Sequence, residues 1–157
     1  MQYTSFVDVL LILTRGDEVL LARRANTGYS DGLWNLPSGK LDAGEDLEAG
    51  MIREAWEEIG IELSRKDIRM ANVVHYQPPD EQTRIGFFFH ADSWSGEPFN
   101  AEPDKCSDLR WFARDEIPAD TVPYTSIGLD LFRRGEHFGL AGWTVTAESA
   151  RNASEIG

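Results

Sequence analysis

The stretch GKLDAGEDLEAGMIREAWEEIGI, running from Gly39 to Ile61, decides how this chain is read. Its second half, Leu47 to Ile59, has the composition and length of a helix, and Gly60 stops it. Asp46 is placed to cap the first turn, while Ala49 stands where a reciprocal capping Glu would be. At about 100° per residue, Glu54, Glu57 and Glu58 fall within an arc of about 100°. Ala49, Ile52, Trp56 and Ile59 fall on the other side, and this reading takes them as the face that docks on the core. Like charges at i,i+3 and i,i+4 repel. A helix that carries them either leaves that face in water or neutralises it with a cation. Carboxylate oxygens are hard ligands and suit Mg²⁺ or Mn²⁺ rather than Zn²⁺.

Outward from the helix, the signals alternate between strand and turn. Phe6 to Leu13 is rich in branched aliphatics and ends at Arg15-Gly16-Asp17. With Glu18 to Arg24 it reads as a β-hairpin. Ala25 to Gly44 reads as loop. Ile68 to Tyr76 and Arg84 to Trp94 read as strands parted by the Gln77-Pro78-Pro79-Asp80 breaker, and Leu109 to Phe112 as a short strand. Thr125 to Arg134 is a second helix, ended by Gly135. The pattern predicts one α/β domain with a mixed sheet over residues 1–146 and a flexible tail over 147–157.

Composition narrows the function. The chain has 157 residues, 41% of them hydrophobic, enough for one domain with a proper core. A net charge of −12 argues against coating nucleic acid or an anionic membrane, both of which call for a basic footprint. An anionic small molecule can still bind if the field is reversed locally, as a bound divalent cation does. Val7 to Leu13 is too short to span a bilayer. Cys106 is the single cysteine, so no internal disulfide forms, and a reducing cytoplasm is expected. His75, His90 and His137 are too scattered for a Cys/His zinc cluster.

Gly39, Glu45, Arg53, Glu54, Ala55, Glu57, Glu58, Gly60 and Ile61 together resemble the Nudix box: Gly, five residues, Glu, seven residues, then Arg-Glu-aliphatic-x-Glu-Glu-x-Gly-aliphatic. Trp34 to Lys40 resembles the family's approach to the box, with Ser38 where glycine is commoner. Leu21 to Arg24 and Trp94 to Pro98 resemble stretches of MutT-type members. The resemblance implies a Nudix-type α/β/α sandwich with a mixed β-sheet. It implies a Mg²⁺-dependent hydrolase, with Mn²⁺ as a substitute, that cleaves the pyrophosphate linkage of a nucleotide-like small molecule, acting as a monomer or homodimer. Carried over residue by residue, Glu54, Glu57 and Glu58 would hold the metal with the carbonyl of Gly39, and Glu102 would add a further ligand. Glu57 or Glu58 would take the proton from the attacking water. Glu45 and Arg53 would pair and brace the loop against the helix.

Arg24 and Arg23 are the candidates for phosphate binding. Strand alternation puts them on opposite faces and allows only one to reach it. Trp34, Tyr76 and Trp143 are candidates for stacking on a base. The substrate stays open between a nucleoside triphosphate and ADP-ribose, a nucleotide sugar or a dinucleoside polyphosphate. Thr121 stands near where 8-oxo-dGTP-cleaving members use an Asn. Pro78 resembles an ADP-ribose cue and Tyr76 a dinucleoside polyphosphate cue. A non-catalytic Nudix-fold nucleotide-binding module is the alternative of another class.

Overall fold

The structure is a computed structural model and describes residues 1–143; the expected tail over 147–157 lies outside them. One mixed sheet is built from β1 (Phe6–Arg15), β2 (Glu18–Arg24), β3 (Trp34–Asn35), β4 (Ser38–Lys40), β5 (Arg69–Tyr76), β6 (Arg84–Ala91), β7 (Cys106–Ala113) and β8 (Phe138–Ala141). Its main path runs β3-β2-β1-β6-β5-β8, with β4 joined to β1 and β7 to β2. The β1–β6 and β5–β8 pairs are parallel and the others antiparallel.

Helices α1 (Leu47–Ile59) and α2 (Pro123–Arg134) cover the two faces. Strand β1 shows why two cores form. Its alternate residues Val9, Leu11 and Leu13 enter the core under α1, with Met51, Ala55 and Ile59. Leu10 and Ile12 enter the other, with Leu129 and Leu131 of α2. A strand whose side chains alternate between two apolar layers must be apolar throughout, which is how residues 9 to 13 read.

The sheet opens where the site lies. β2 pairs with β1 only at Thr14↔Val19 and Arg15↔Glu18 and then diverges. β4 takes its place along Asp8, Val9 and Leu10. The gap between the two is the mouth of a cleft.

Several expectations are corrected. The buried row of α1 is Met51, Ala55 and Ile59 with Gly50, not Ala49-Ile52-Trp56-Ile59, and Trp56 is 57% exposed. α1 packs closely on this side: a Cβ at Gly50 would press on Leu41 and Glu45. The carboxylates therefore border the buried row instead of opposing it, since Glu58 falls within about 20° of Met51 on the helical wheel. β6 stops at Ala91 rather than Trp94. β7 spans Cys106–Ala113 because it pairs with all of β2. Pro123 starts α2 two residues early, its missing N–H costing nothing in a first turn.

Candidate active site

α1 is positioned by its ends. Asp46 accepts from the Ala49 N–H at 2.9 Å, and Gly60 ends the helix with φ of 67°. The carbonyls freed at that end are used by the next loop. Phe99 N–H donates to Ile59 O at 3.0 Å and Ala101 N–H to Glu58 O at 3.1 Å, which brings Glu102 beside the helix.

The three box glutamates meet different surroundings. Glu58 accepts from the Ser38 N–H at 2.9 Å and lines the cleft. Glu58 is partly buried, at the wall of the cleft. Burial, then the charges of Glu54 and Glu102, push it well above the usual carboxylate range. Glu54 is raised first by burial and also by Glu57 and Glu102, although Arg53 pulls the other way. Its carboxylate lies against Gly39, where any Cβ would collide with it. Glu57 is half exposed and meets Arg53 at 3.1 Å.

Arg53 organises the rim. It donates twice to Glu45, at 3.0 and 2.7 Å, once to Glu54 at 2.8 Å, and to the Lys40 carbonyl at 3.3 Å. Glu45 also accepts from the Asp42 N–H at 2.8 Å. The Arg53 hydrogen bonds, followed by that backbone donor, lower Glu45 to about 2. Because Arg53 holds Glu54 and Glu57, the three glutamates do not close on one point. Among the described residues no three His, Cys, Asp or Glu side chains are drawn into a metal cage. The donor set still fits a hard divalent cation. It is all oxygen, and burial first, then the neighbouring carboxylates, raise Glu54 and Glu58, a penalty on their charged forms that a cation would relieve.

The cleft has a volume of about 410 Å³. Five cationic side chains line it (Arg23, Arg24, Lys40, Arg84 and Lys105) against the anionic Asp8, Glu58 and Glu102. In a chain of net charge −12 this is a local reversal of sign, and it suits an anionic ligand. Both Arg23 and Arg24 reach it. The β2–β7 register shifts beside them, β7 carrying one extra residue: Arg23 pairs with Asp108 and Arg24 with Cys106. Arg23 Nε donates to Gly32 O at 3.0 Å and Arg24 Nε to Tyr29 O at 2.8 Å, which anchors the loop between β2 and β3.

Trp34 and Tyr76 are corrected from base-stacking candidates to core residues. Trp34 is 5% exposed and packs edge-on against Phe112. Tyr76 stacks on Tyr124 at 5.0 Å within the α2 core. Neither lines the cleft. Trp143 lies away from it, its indole N–H on the His75 carbonyl at 2.9 Å. The Thr121 hydroxyl is taken by the Pro118 carbonyl at 2.7 Å. Cys106 is partly buried, its thiol raised by burial, with its S–H on the Asp108 carbonyl at 3.1 Å. The sequence reading missed Asp8, Lys40, Tyr29, Arg84 and Tyr124, all of which line the cleft. One signal was available: Asp8 is the only charge in the apolar run from Phe6 to Leu13.

The family model described as NUDIX domain matches residues 4–128. A Pseudomonas aeruginosa protein named NAD-capped RNA hydrolase NudC is 35% identical over 111 residues, 70% of this chain but only 37% of that protein's length. A Bacillus subtilis putative 8-oxo-dGTP diphosphatase is 28% identical over 80% of this chain and 78% of its own. The crystal structure of a MutT NUDIX hydrolase from Burkholderia pseudomallei superposes with a TM-score of 0.75 at 32% identity, covering 81% of this chain and 97% of that one.

Proposed function

This chain belongs to the Nudix family, and from that premise we propose that it is a Mg²⁺-dependent pyrophosphohydrolase of a nucleoside triphosphate or a related nucleoside diphosphate derivative. The observation that carries the reading is the cleft itself: a cation-lined channel that runs to Glu58, Glu102 and Gly39. Arg23, Arg24 and Lys105 would hold the phosphates, a reading supported by their place in the cleft lining. Glu54, Glu57, Glu58 and Glu102, with the Gly39 carbonyl, would hold the metal. When bound, that ion neutralises charge on the diphosphate and acidifies the attacking water. Of the two carboxylates that can take the proton, Glu57 and Glu58, only Glu58 faces the cleft. Burial raises its pKa, the direction expected of a group that takes up a proton. Arg53 acts as a positioning residue, holding Glu54 and the Glu45 loop.

The 8-oxo-dGTP diphosphatase among the relatives supports a triphosphate, and the engaged Thr121 hydroxyl argues against base reading at that position. The intact set of box glutamates favours an enzyme over a binding module. Its lone, inert thiol goes with a cytoplasmic setting. Among the described residues no helix is long and apolar enough to cross a membrane. The test is product analysis over nucleoside triphosphates, ADP-ribose and dinucleoside polyphosphates, with Mg²⁺, Mn²⁺ or excess EDTA. Monophosphate and pyrophosphate should appear from a triphosphate with either metal. Full turnover in EDTA would sink the metal assignment.

A further inference from the structure

The cleft has a second polar end that the hydrolytic step does not use. Asp8 is buried in β1. Arg84, on the adjacent parallel strand β6, donates to it from Nε to Oδ2 at 2.8 Å and from Nη2 to Oδ1 at 2.9 Å. The Tyr124 hydroxyl donates to the same Oδ2 at 3.4 Å. The Phe6 ring centre lies 4.8 Å from the guanidinium carbon, and the Tyr29 ring centre lies 6.0 Å away. A guanidinium so clamped has little freedom left to lose on binding.

An arginine has five N–H donors in one plane. Asp8 takes the edge formed by Nε and Nη2. Among the described residues the Arg84 side chain hydrogen-bonds to nothing else, so the end formed by Nη1 and Nη2 keeps two parallel donors free. Arg84 itself lines the cleft. Ser38, which holds Glu58, pairs with Leu10, and Asp8 is two residues further along the same face of β1. At strand rise that is about 7 Å, a span a ribose bridges.

We infer that Arg84 reads the end of the substrate away from the phosphates, by offering two parallel donors to two adjacent in-plane acceptors of a neutral ring. Among the purines, the O6/N7 edge of guanine has that pattern, while adenine places a donor at one of the two positions; the O2/N3 edge of an unpaired cytosine offers the same pair. The paired Asp8 cancels the charge of Arg84, so this end favours a neutral acceptor edge over another phosphate. The inference rests on the pyrophosphohydrolase reading only for putting the phosphates at the carboxylate end.

The experiment is calorimetric binding of four nucleoside 5′-monophosphates that contain no anhydride to cleave: those of guanosine, inosine, 7-deazaguanosine and adenosine. Wild-type protein should bind the guanosine and inosine compounds ~10-fold or more tighter than the other two. Equal affinity for guanosine and 7-deazaguanosine, which differ at N7 alone, overturns the inference. Arg84→Lys keeps the charge beside Asp8 but loses the planar fork, and should bring the four within ~3-fold of one another. An undiminished guanosine preference in that variant also overturns it. Should Arg84→Lys fail to fold, the wild-type comparison alone decides. The matching triphosphates, assayed with Mg²⁺, separate the two readings. No turnover of any of them refutes the hydrolase while leaving the binding order to judge Arg84.

Discussion

Arg53 grips Glu45 through two hydrogen bonds, Nε to Oε2 at 3.0 Å and Nη2 to Oε1 at 2.7 Å. The pair joins the middle of α1 to the loop that leaves β4, and the same guanidinium reaches Glu54 and Glu57. Removing it frees the loop and leaves Glu54, partly buried, beside like charges. Arg53→Ala should lower the melting temperature in EDTA by ~3 °C or more. A variant that melts with the wild type would show the brace to be idle.

The same pair has an acid signature. Glu45 is held at about 2, below its ordinary 4.5, so its contribution is present above pH 4.5 and is lost as pH falls through about 2. The difference in melting temperature between wild type and Glu45→Gln, measured in EDTA, should be constant above pH 4.5 and shrink below it. A difference that grows toward low pH would contradict this assignment.

Glu58 has the opposite sign. Its folded pKa is raised, so its ionisation destabilises the metal-free fold as pH rises through that value. Glu58→Gln should melt at or above wild type in EDTA at pH 7, with its amide oxygen still accepting from Ser38. With Mg²⁺, its turnover should fall by ~10²-fold or more. Wild-type turnover in a folded Glu58→Gln protein would remove Glu58 from the chemistry.

Gly39 separates packing from metal binding. A Cβ there would displace the Glu54 carboxylate, the far end of a flexible side chain, so Gly39→Ala should fold with a nearly unchanged melting temperature. The Mg²⁺ concentration for half-maximal activity should rise ~10-fold or more. A large drop in melting temperature with unchanged metal dependence would make the glycine a packing residue only.

What could be read in the sequence was what local signals carry. Asp46, Gly60 and the box spacing marked α1 and its acidic edge, because caps and charge periodicity act within a turn or two. The docking face was misread because Trp56 carries far more apolar surface than Ala55, whereas the close approach at Gly50 turns the row of Met51, Ala55 and Ile59 inward. β3, β4 and β8 have 2, 3 and 4 residues and exist through their partners rather than through their own composition. The register shift beside Arg23 and Arg24 is set by pairing with β7, more than 80 residues away in sequence. Asp8 and Arg84 are 76 residues apart, so only the odd charge in an apolar strand hinted at them.

The loop carrying Glu102 hangs from the last carbonyls of α1 by its own main chain, through Phe99 and Ala101. The reach from Glu102 to the helix is therefore fixed by residue count and not by side-chain identity. Mutational drift can rewrite the loop's surface while the carboxylate keeps its place. Losing one residue between Glu97 and Ala101, even with every acidic group retained, would throw the two halves of the site out of step as surely as deleting Glu102 itself.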